Sequence, residues 1–317
     1  MKIVVLDGYT LNPGDLSWDD LRELGEVTVY DRTPKDLVIS RSQKAEILLT
    51  NKTILNKDII AQLPDLRYVG VLATGYNVID LQAARDRNIT VTNIPAYSTR
   101  TVAQMTFALL LELCNHVQEH SNAVRQGRWS QSIDFCYWDY PIVELDRKIM
   151  GIIGMGKIGR QVAEIAAAFG MKVFAYDISC DQETSSAVKW LEIPELLARS
   201  DIVSLHCPLT PENQGMVDRS FLKQMKPEAF FLNTSRGPLV AEQDLADALN
   251  NGVIAGAGLD VLAQEPPARD NPLLTARNCL ITPHIAWAAR EARTRLIKIA
   301  VNNLSSFLSG HPVNQIT

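Results

Sequence analysis

"IMGIIGMGKIGRQVAEIAAAFG", residues 149–170, decides the fold. An apolar, β-type run leads directly into Gly154, Gly156 and Gly159, spaced G-x-G-x-x-G, and a helix-forming segment follows without a break. The glycine spacing alone is a weak signal, but strand, glycine turn and helix in that order read as a dinucleotide-binding unit. Gly154 permits the tight turn, Gly156 lets the backbone approach a pyrophosphate, and Gly159 lets helix and strand pack closely. The helix start then offers N–H groups to the phosphates. The next β-rich run, "MKVFAYD", ends in Asp177, eighteen residues beyond Gly159. A carboxylate there can accept hydrogen bonds from an adenosine ribose. No Lys or Arg lies between Asp177 and Lys189, so a 2′-phosphate would meet a negative charge and no nearby cation in sequence. The reading is NAD rather than NADP.

Outward from this stretch, "DIVSLHC", "AFFLNTS", "VIAGAGLDV" and "NCLITPH" continue the alternation of strands with helix-length segments, a parallel α/β unit of about six strands. Upstream, "KIVVLD", "VTVYD", "AEILLT", "RYVGVLAT" and "ITVTNIP" form an earlier alternating series. Between the two, residues 99–127 read as one long helix with Gly127 as its stop signal. After His284 a single helix remains, with Gly310 and Pro312 as its stop; it is expected to return to the first series. The expected organisation of the 317 residues is a substrate domain, 1–99 plus 287–317, and a dinucleotide-binding domain, 100–286.

A net charge of −5 and no basic run interleaved with aromatics argue against a nucleic-acid partner. The N-terminal apolar run is too short for a signal peptide, and no stretch of eighteen apolar residues occurs without charge. A soluble, cytoplasmic protein with no membrane partner is expected. Five cysteines, Cys114, Cys136, Cys180, Cys207 and Cys279, contain no Cys-x-x-Cys pair and read as reduced, mostly buried thiols. His116 and His120 are four apart on a helix but lack a third ligand of evident spacing, so no metal is expected and the pair reads as a solvated face. The aromatic stretch "DFCYWDYP" is compatible with core, dimer surface or pocket wall.

Ligands of open α/β sheets bind beyond the carboxyl ends of strands. Three candidates stand there: Arg236 after "AFFLNTS", Glu265 after "VIAGAGLDV" and His284 after "NCLITP". Arginine offers a planar fork of donors to a carboxylate and its neighbouring carbonyl. Histidine can give and recover a proton, and a carboxylate behind it fixes its tautomer. Singly, each has a dull explanation: a surface ion pair, a loop charge beside Pro266 and Pro267, a satisfied strand-end imidazole. Their joint placement beside a nucleotide site points to hydride transfer to a 2-oxo acid.

At these residues the chain resembles the D-isomer-specific 2-hydroxyacid dehydrogenase family. The resemblance runs from "LATGYNVID" through "GIIGMGKIG", "LHCPLTPEN", "FLNTSRGPLV" and "GLDVLAQEPP" to "TPHIAWAAREAR". Within it, "VGVLATGYNVID", "FCYWDYPIVEL" and "PHIAW" look most like the glycerate dehydrogenase (hydroxypyruvate reductase) branch. The resemblance implies two doubly wound parallel-sheet domains, flavodoxin-like and Rossmann, with the active site in the cleft between them. It implies His284 as acid/base, Glu265 as its partner, and Arg236 as binder of the substrate carboxylate and carbonyl. Ala73, Thr74 and Gly75 would present backbone N–H groups to that carboxylate. Gly154, Met155, Gly156, Lys157, Ile158, Gly159 and Asp177 would hold NAD, with Cys207, Pro208, Thr234, Ser235 and Asp260 lining its adenosine and nicotinamide regions and Val102 approaching the nicotinamide. The implied reaction is reduction of hydroxypyruvate to D-glycerate by a homodimer. The alternatives are glyoxylate or another 2-oxo acid as substrate, or an NAD-sensing binding protein without turnover. Formate-oxidising relatives carry glutamine where Glu265 stands, which disfavours that reaction. One departure is "ELDRKIMGIIG": relatives often carry a glycine near Asp146 or Arg147, so a turn before the nucleotide strand is expected to differ.

Overall fold

The computed structural model describes residues 1–178 and 188–317. The described chain divides into two compact units: Met1–Ser98 with Ala288–Thr317, and Thr99–Trp287.

In the first unit, β1 (Lys2–Val5), β2 (Glu26–Val29), β3 (Ile47–Thr50), β4 (Tyr68–Val71) and β5 (Thr90–Thr92) alternate with short helices α1 (Asp19–Arg22), α2 (Val38–Ser42), α3 (Lys57–Ala61) and α4 (Leu81–Asp86). The strands pair in parallel in the order β2-β1-β3-β4-β5, with Val4 opposite Thr28 on one side and Leu48 on the other. Every residue of β3 and β4 is buried. That is why these strands read as continuous apolar runs rather than alternating ones. Side chains start two of the helices: Asn56 accepts from the Ile59 N–H of α3 and Asp80 from the Ala83 N–H of α4.

The second unit opens with α5 (Thr99–Asn115) and α6 (Val117–Arg125). The single helix expected over 99–127 is broken at His116, whose φ of +48° is left-handed. Gly127, with φ +86°, follows α6. Next come β6 (Ile149–Ile153), α7 (Lys157–Ala168), β7 (Lys172–Tyr176), β8 (Val188–Trp190), α8 (Ile193–Arg199), β9 (Ile202–Leu205), α9 (Arg219–Lys223), β10 (Phe230–Asn233), α10 (Glu242–Asn250), β11 (Gly256–Leu259) and β12 (Cys279–Ile281). Seven parallel strands run β12-β11-β10-β9-β6-β7-β8. The reading of about six strands missed β8, an edge strand of three residues, none of them buried, too short for a periodicity to register.

Apolar residues cover both faces of this sheet. Phe107, Leu110, Leu113, Val162 and Ala166 of α5 and α7 pack on one cluster, and Leu196, Phe221, Leu245 and Leu249 of α8, α9 and α10 on another. The turn flagged as a departure has a backbone cause. Arg147 sits at φ +63°, a conformation glycine adopts without cost, with its N–H on the Gly170 carbonyl.

The chain ends in α11 (Arg290–Leu308), which belongs to the first unit. Leu296 and Leu304 are fully buried, and Phe307 lies 4.9 Å from the Tyr68 ring. The Arg293 guanidinium grips Asp15 through two 2.7 Å contacts and holds its carboxyl below the ordinary value.

Candidate active site

Because β6 is flanked by β7 on one side and β9 on the other, the strand order reverses there, and the carboxyl ends of the second sheet form an ordered row. Reading from β12 to β7, these ends carry His284, Glu265, Arg236, Cys207, the glycine turn and Asp177. The three candidate catalytic residues therefore follow three adjacent strands, and the glycine turn lies at the reversal point where such sheets bind nucleotides.

His284 sits at φ +55°, in the left-handed region, with its N–H on the Thr282 carbonyl at 2.9 Å. Its Nδ1 lies 2.6 Å from Oε2 of Glu265, while Oε1 of the same carboxylate accepts the Leu262 N–H at 3.2 Å. A carboxylate only accepts, so Nδ1 carries the proton and Nε2 is the nitrogen left for chemistry. Both side chains are about one-third exposed, at 28% and 35%.

The turn is held from beneath by Asp260, which is fully buried. Its Oδ1 accepts Thr282 Oγ1–H at 2.6 Å and the Ile285 N–H at 2.9 Å, and its Oδ2 accepts the Ala286 N–H at 2.8 Å. Three donors flanking His284 thus converge on one carboxylate.

Asn233, also fully buried, does the same for the loop after β10. Its Oδ1 accepts the N–H and hydroxyl of Ser235, and its Nδ2 donates to the Arg236 carbonyl at 2.9 Å. Arg236 is exposed and donates through Nη1 to the Ser235 carbonyl at 2.7 Å. The following Gly237 approaches Leu262 so closely that a Cβ would lie 1.9 Å from the Leu262 carbonyl carbon. The Arg236 loop thus rests on the residue whose N–H holds Glu265.

On the nucleotide side, Gly154 has φ +101° and abuts Cys207, where a Cβ would come within 2.5 Å of the backbone nitrogen. A Cβ on Gly159 would lie 2.1 Å from the Gly154 carbonyl oxygen, whereas one on Gly156 would meet nothing within 4 Å. The space above Gly156 is open. Helix α7 starts at Lys157 and Ile158 with Gly156 as N-cap, no side-chain cap and no acidic residue in its first turn. Asp177, just after β7, accepts the Met155 N–H at 2.6 Å, which fixes the carboxylate beside the turn.

The other predicted residues fall as follows. Val102 is buried in the first turn of α5, and its carbonyl accepts the Thr106 hydroxyl, which lies 3.1 Å from the Thr234 hydroxyl. Cys207 is half-buried with its thiol pushed up by burial, and the exposed Pro208 lends its carbonyl to Asn213. In the first unit, Ala73, Thr74 and Gly75 follow β4. The Ala73 carbonyl accepts the Ile94 N–H, and the Thr74 hydroxyl donates to the Ile94 carbonyl. His116 and His120 are not the solvated face expected. His116 stacks on Tyr140 at 4.6 Å, and His120 binds the His116 carbonyl and the Asp139 N–H. Cys114, Cys136, Cys207 and Cys279 are free, with Cys136 exposed, and Cys180 lies outside the described residues.

Residues 107–286 match the family model described as D-isomer specific 2-hydroxyacid dehydrogenase, NAD binding domain. The chain belongs to the D-isomer specific 2-hydroxyacid dehydrogenases. A hydroxypyruvate reductase of Blautia hydrogenotrophica is 53% identical, across 100% of this chain and 99% of the relative. A glycerate dehydrogenase of Methylorubrum extorquens is 41% identical over 99% and 98% of the two chains. Among solved structures, an acyclic imino acid reductase in complex with NADPH and D-Arg superposes with a TM-score of 0.88 at 33% identity, covering all of both chains.

This dehydrogenase is an NAD-dependent α/β enzyme acting on a small hydroxy or oxo acid. The glycine turn fits its cofactor: open space above Gly156, an uncapped helix start and a fixed carboxylate at Asp177 are the features a dinucleotide requires. Sequence reasoning passed over Asn233, Thr282 and Thr106, the residues that position others. The available signal was a polar residue closing an apolar strand run, as in "FFLN".

Proposed function

We propose that this dehydrogenase reduces hydroxypyruvate to D-glycerate, and that the Glu265–His284 pair supplies the proton. The observation that carries the reading is the 2.6 Å contact between Glu265 and His284 Nδ1, in a chain 53% identical to a hydroxypyruvate reductase. NADH, when bound, supplies the hydride.

The guanidinium of Arg236 binds the substrate carboxylate and draws electron density from the 2-oxo group. His284 donates from Nε2 to the oxygen that becomes the hydroxyl, and Glu265 stabilises the imidazolium before transfer. The backbone N–H groups of Ala73, Thr74 and Gly75 are assigned to the substrate carboxylate. Gly154 to Gly159 and Asp177 are assigned to the pyrophosphate and adenosine ribose. Val102, Cys207, Pro208, Thr234 and Ser235 are assigned to the surroundings of the adenosine and nicotinamide, and the buried Asp260 to holding the turn that carries His284.

A homodimer in the cytoplasm completes the reading. In the segment after α6, Ile133 is fully exposed, Phe135 89% and Trp138 65%, apolar surface of the kind partner contacts cover. Among the described residues no helix is long and apolar enough to cross a membrane.

The test is NADH oxidation with hydroxypyruvate, glyoxylate, pyruvate, phenylpyruvate and 2-oxoglutarate, repeated on the best substrate with NADPH. Highest kcat/KM for hydroxypyruvate with NADH is expected. A preference for another acid would overturn the substrate, and a preference for NADPH would overturn the role given to Asp177.

A further inference from the structure

We propose that Asn93 and Asn303 are positioning residues for the substrate carboxylate, acting through the backbone of Ala73, Thr74 and Gly75. This role rests on the assignment of that loop to the carboxylate and adds what aims its N–H groups. All five residues belong to the first unit.

β4 and β5 are parallel neighbours, with Gly70 opposite Thr92, so the segments that follow them leave the sheet side by side. A trans peptide places its C=O and the next residue's N–H on opposite sides of one plane, so a bond that holds a carbonyl also aims the N–H that follows it. The Ala73 carbonyl accepts the Ile94 N–H at 3.0 Å, which aims the Thr74 N–H away from residues 93–94. The Thr74 carbonyl accepts Asn93 Nδ2–H at 2.8 Å, which aims the Gly75 N–H away from them too. Among the described residues, neither of these two N–H groups donates to a protein acceptor. They are the groups assigned to the substrate carboxylate.

Asn93 is held in turn by Asn303, which is fully buried in α11. Asn303 Nδ2 donates to the Asn93 carbonyl at 2.9 Å, and its Oδ1 accepts Asn314 Nδ2–H at 2.8 Å. Because the Asn93 carbonyl shares its peptide plane with the Ile94 N–H, Asn303 also aims the donor that holds Ala73. Asn314 sits in the left-handed region at φ +53°, which asparagine tolerates better than most residues, and its carbonyl accepts the Asn93 N–H at 3.2 Å. Burial alone would favour leucine at position 303, since a buried amide costs free energy unless its hydrogen bonds are made. What leucine cannot do is hold the Asn93 carbonyl.

The test is steady-state reduction of hydroxypyruvate, or of whichever oxo acid the enzyme prefers, by the full-length variants Asn93→Ala and Asn303→Leu, with NADH affinity read by fluorescence. The carboxylate is held alike before and during hydride transfer, so weaker binding there falls on KM. KM should rise on the order of tenfold in each variant, with kcat and the NADH dissociation constant within about threefold of wild type. Should Asn303→Leu fail to fold, Asn93→Ala carries the comparison alone. Tyr68→Phe is the structural control: it removes the buried 2.6 Å hydrogen bond between Tyr68 and Thr92, one residue before Asn93, without taking a bond from the loop. Its KM should stay within about twofold of wild type. Gly75→Pro deletes one of the aimed N–H groups and should raise KM by itself. An unmoved KM in both asparagine variants, beside a raised KM in Gly75→Pro, would overturn the positioning role and leave the loop's assignment standing. A KM unmoved in Gly75→Pro would overturn that assignment and this role with it. A rise in Tyr68→Phe as large as in the asparagine variants would show general loosening of the unit and likewise overturn the role.

Discussion

Glu265 binds both the protein and the proton carrier: Oε1 takes the Leu262 N–H, and Oε2 lies 2.6 Å from Nδ1 of His284. The carboxylate is thereby fixed before it acts on the imidazole. Removing its charge while keeping its shape separates the two effects.

In Glu265→Gln the acceptor facing Nδ1 becomes an amide, which can turn its N–H₂ toward the ring and no longer fixes the tautomer or supplies a counter-charge during proton transfer. The expected result is a fall in kcat for the oxo acid on the order of tenfold or more, with the NADH dissociation constant within about threefold of wild type. An unchanged kcat would separate Glu265 from the proton transfer.

Asp260 collects three donors around His284. The substitution Asp260→Asn would turn an amide N–H₂ toward one of those donors, loosening the turn at a cost of about 1–3 kcal/mol. A positioning role predicts that kcat falls on the order of tenfold or more while NADH affinity, read by fluorescence, changes less than about threefold. A loss of NADH affinity that matches the loss of kcat/KM would place Asp260 on the cofactor instead.

Much of this site was legible in the sequence because its chemistry stands where strands stop. "NTSRG", "AQEPP" and "ITPH" each close an apolar run, and the row His284, Glu265, Arg236 follows from three adjacent strands. What was not legible is what holds the row. Asp260 was visible as a strand-end carboxylate but not its three donors, because those arrive from residues 22 to 26 positions downstream. The break at His116 escaped for another reason: residues 112–119 contain no Gly or Pro to mark it, and the left-handed backbone and the stacking on Tyr140 set the residue apart.

Arg147 occupies a left-handed conformation at φ +63°, for which side chains carry a penalty of about 1 kcal/mol or more. Its side chain is 88% exposed and, among the described residues, pairs with the adjacent Asp146, so little is lost with it. Arg147→Gly should therefore raise the unfolding midpoint of the second unit by about 2–4 °C, part of the relief being offset by backbone entropy. A lower midpoint in calorimetry would mean the arginine contributes more than its backbone costs.

His206 gives a pH dependence of stability. Burial pushes its imidazole down to about 3 from 6.5, Nε2 meets the Ser204 hydroxyl at 2.9 Å, and the buried Nδ1 finds no partner among the described residues. Folded, the ring stays neutral, while the unfolded ring takes a proton below its ordinary value. The contribution is complete above about pH 6.5 and declines as pH falls toward 3, at no more than about 1.4 kcal/mol per pH unit. Denaturant unfolding at pH 7, 6 and 5 should lose stability less steeply in His206→Gln than in the wild type. Parallel curves would show that the ring does not titrate between the two states.

The most direct test of the account is His284→Ala, assayed for hydroxypyruvate reduction and, separately, for NADH binding by fluorescence. A proton donor in the chemical step predicts that kcat falls by about 100-fold or more while the NADH dissociation constant stays within about threefold of wild type. Turnover retained at more than about a tenth of wild type, or NADH affinity lost in step with kcat, would contradict the role of the Glu265–His284 pair.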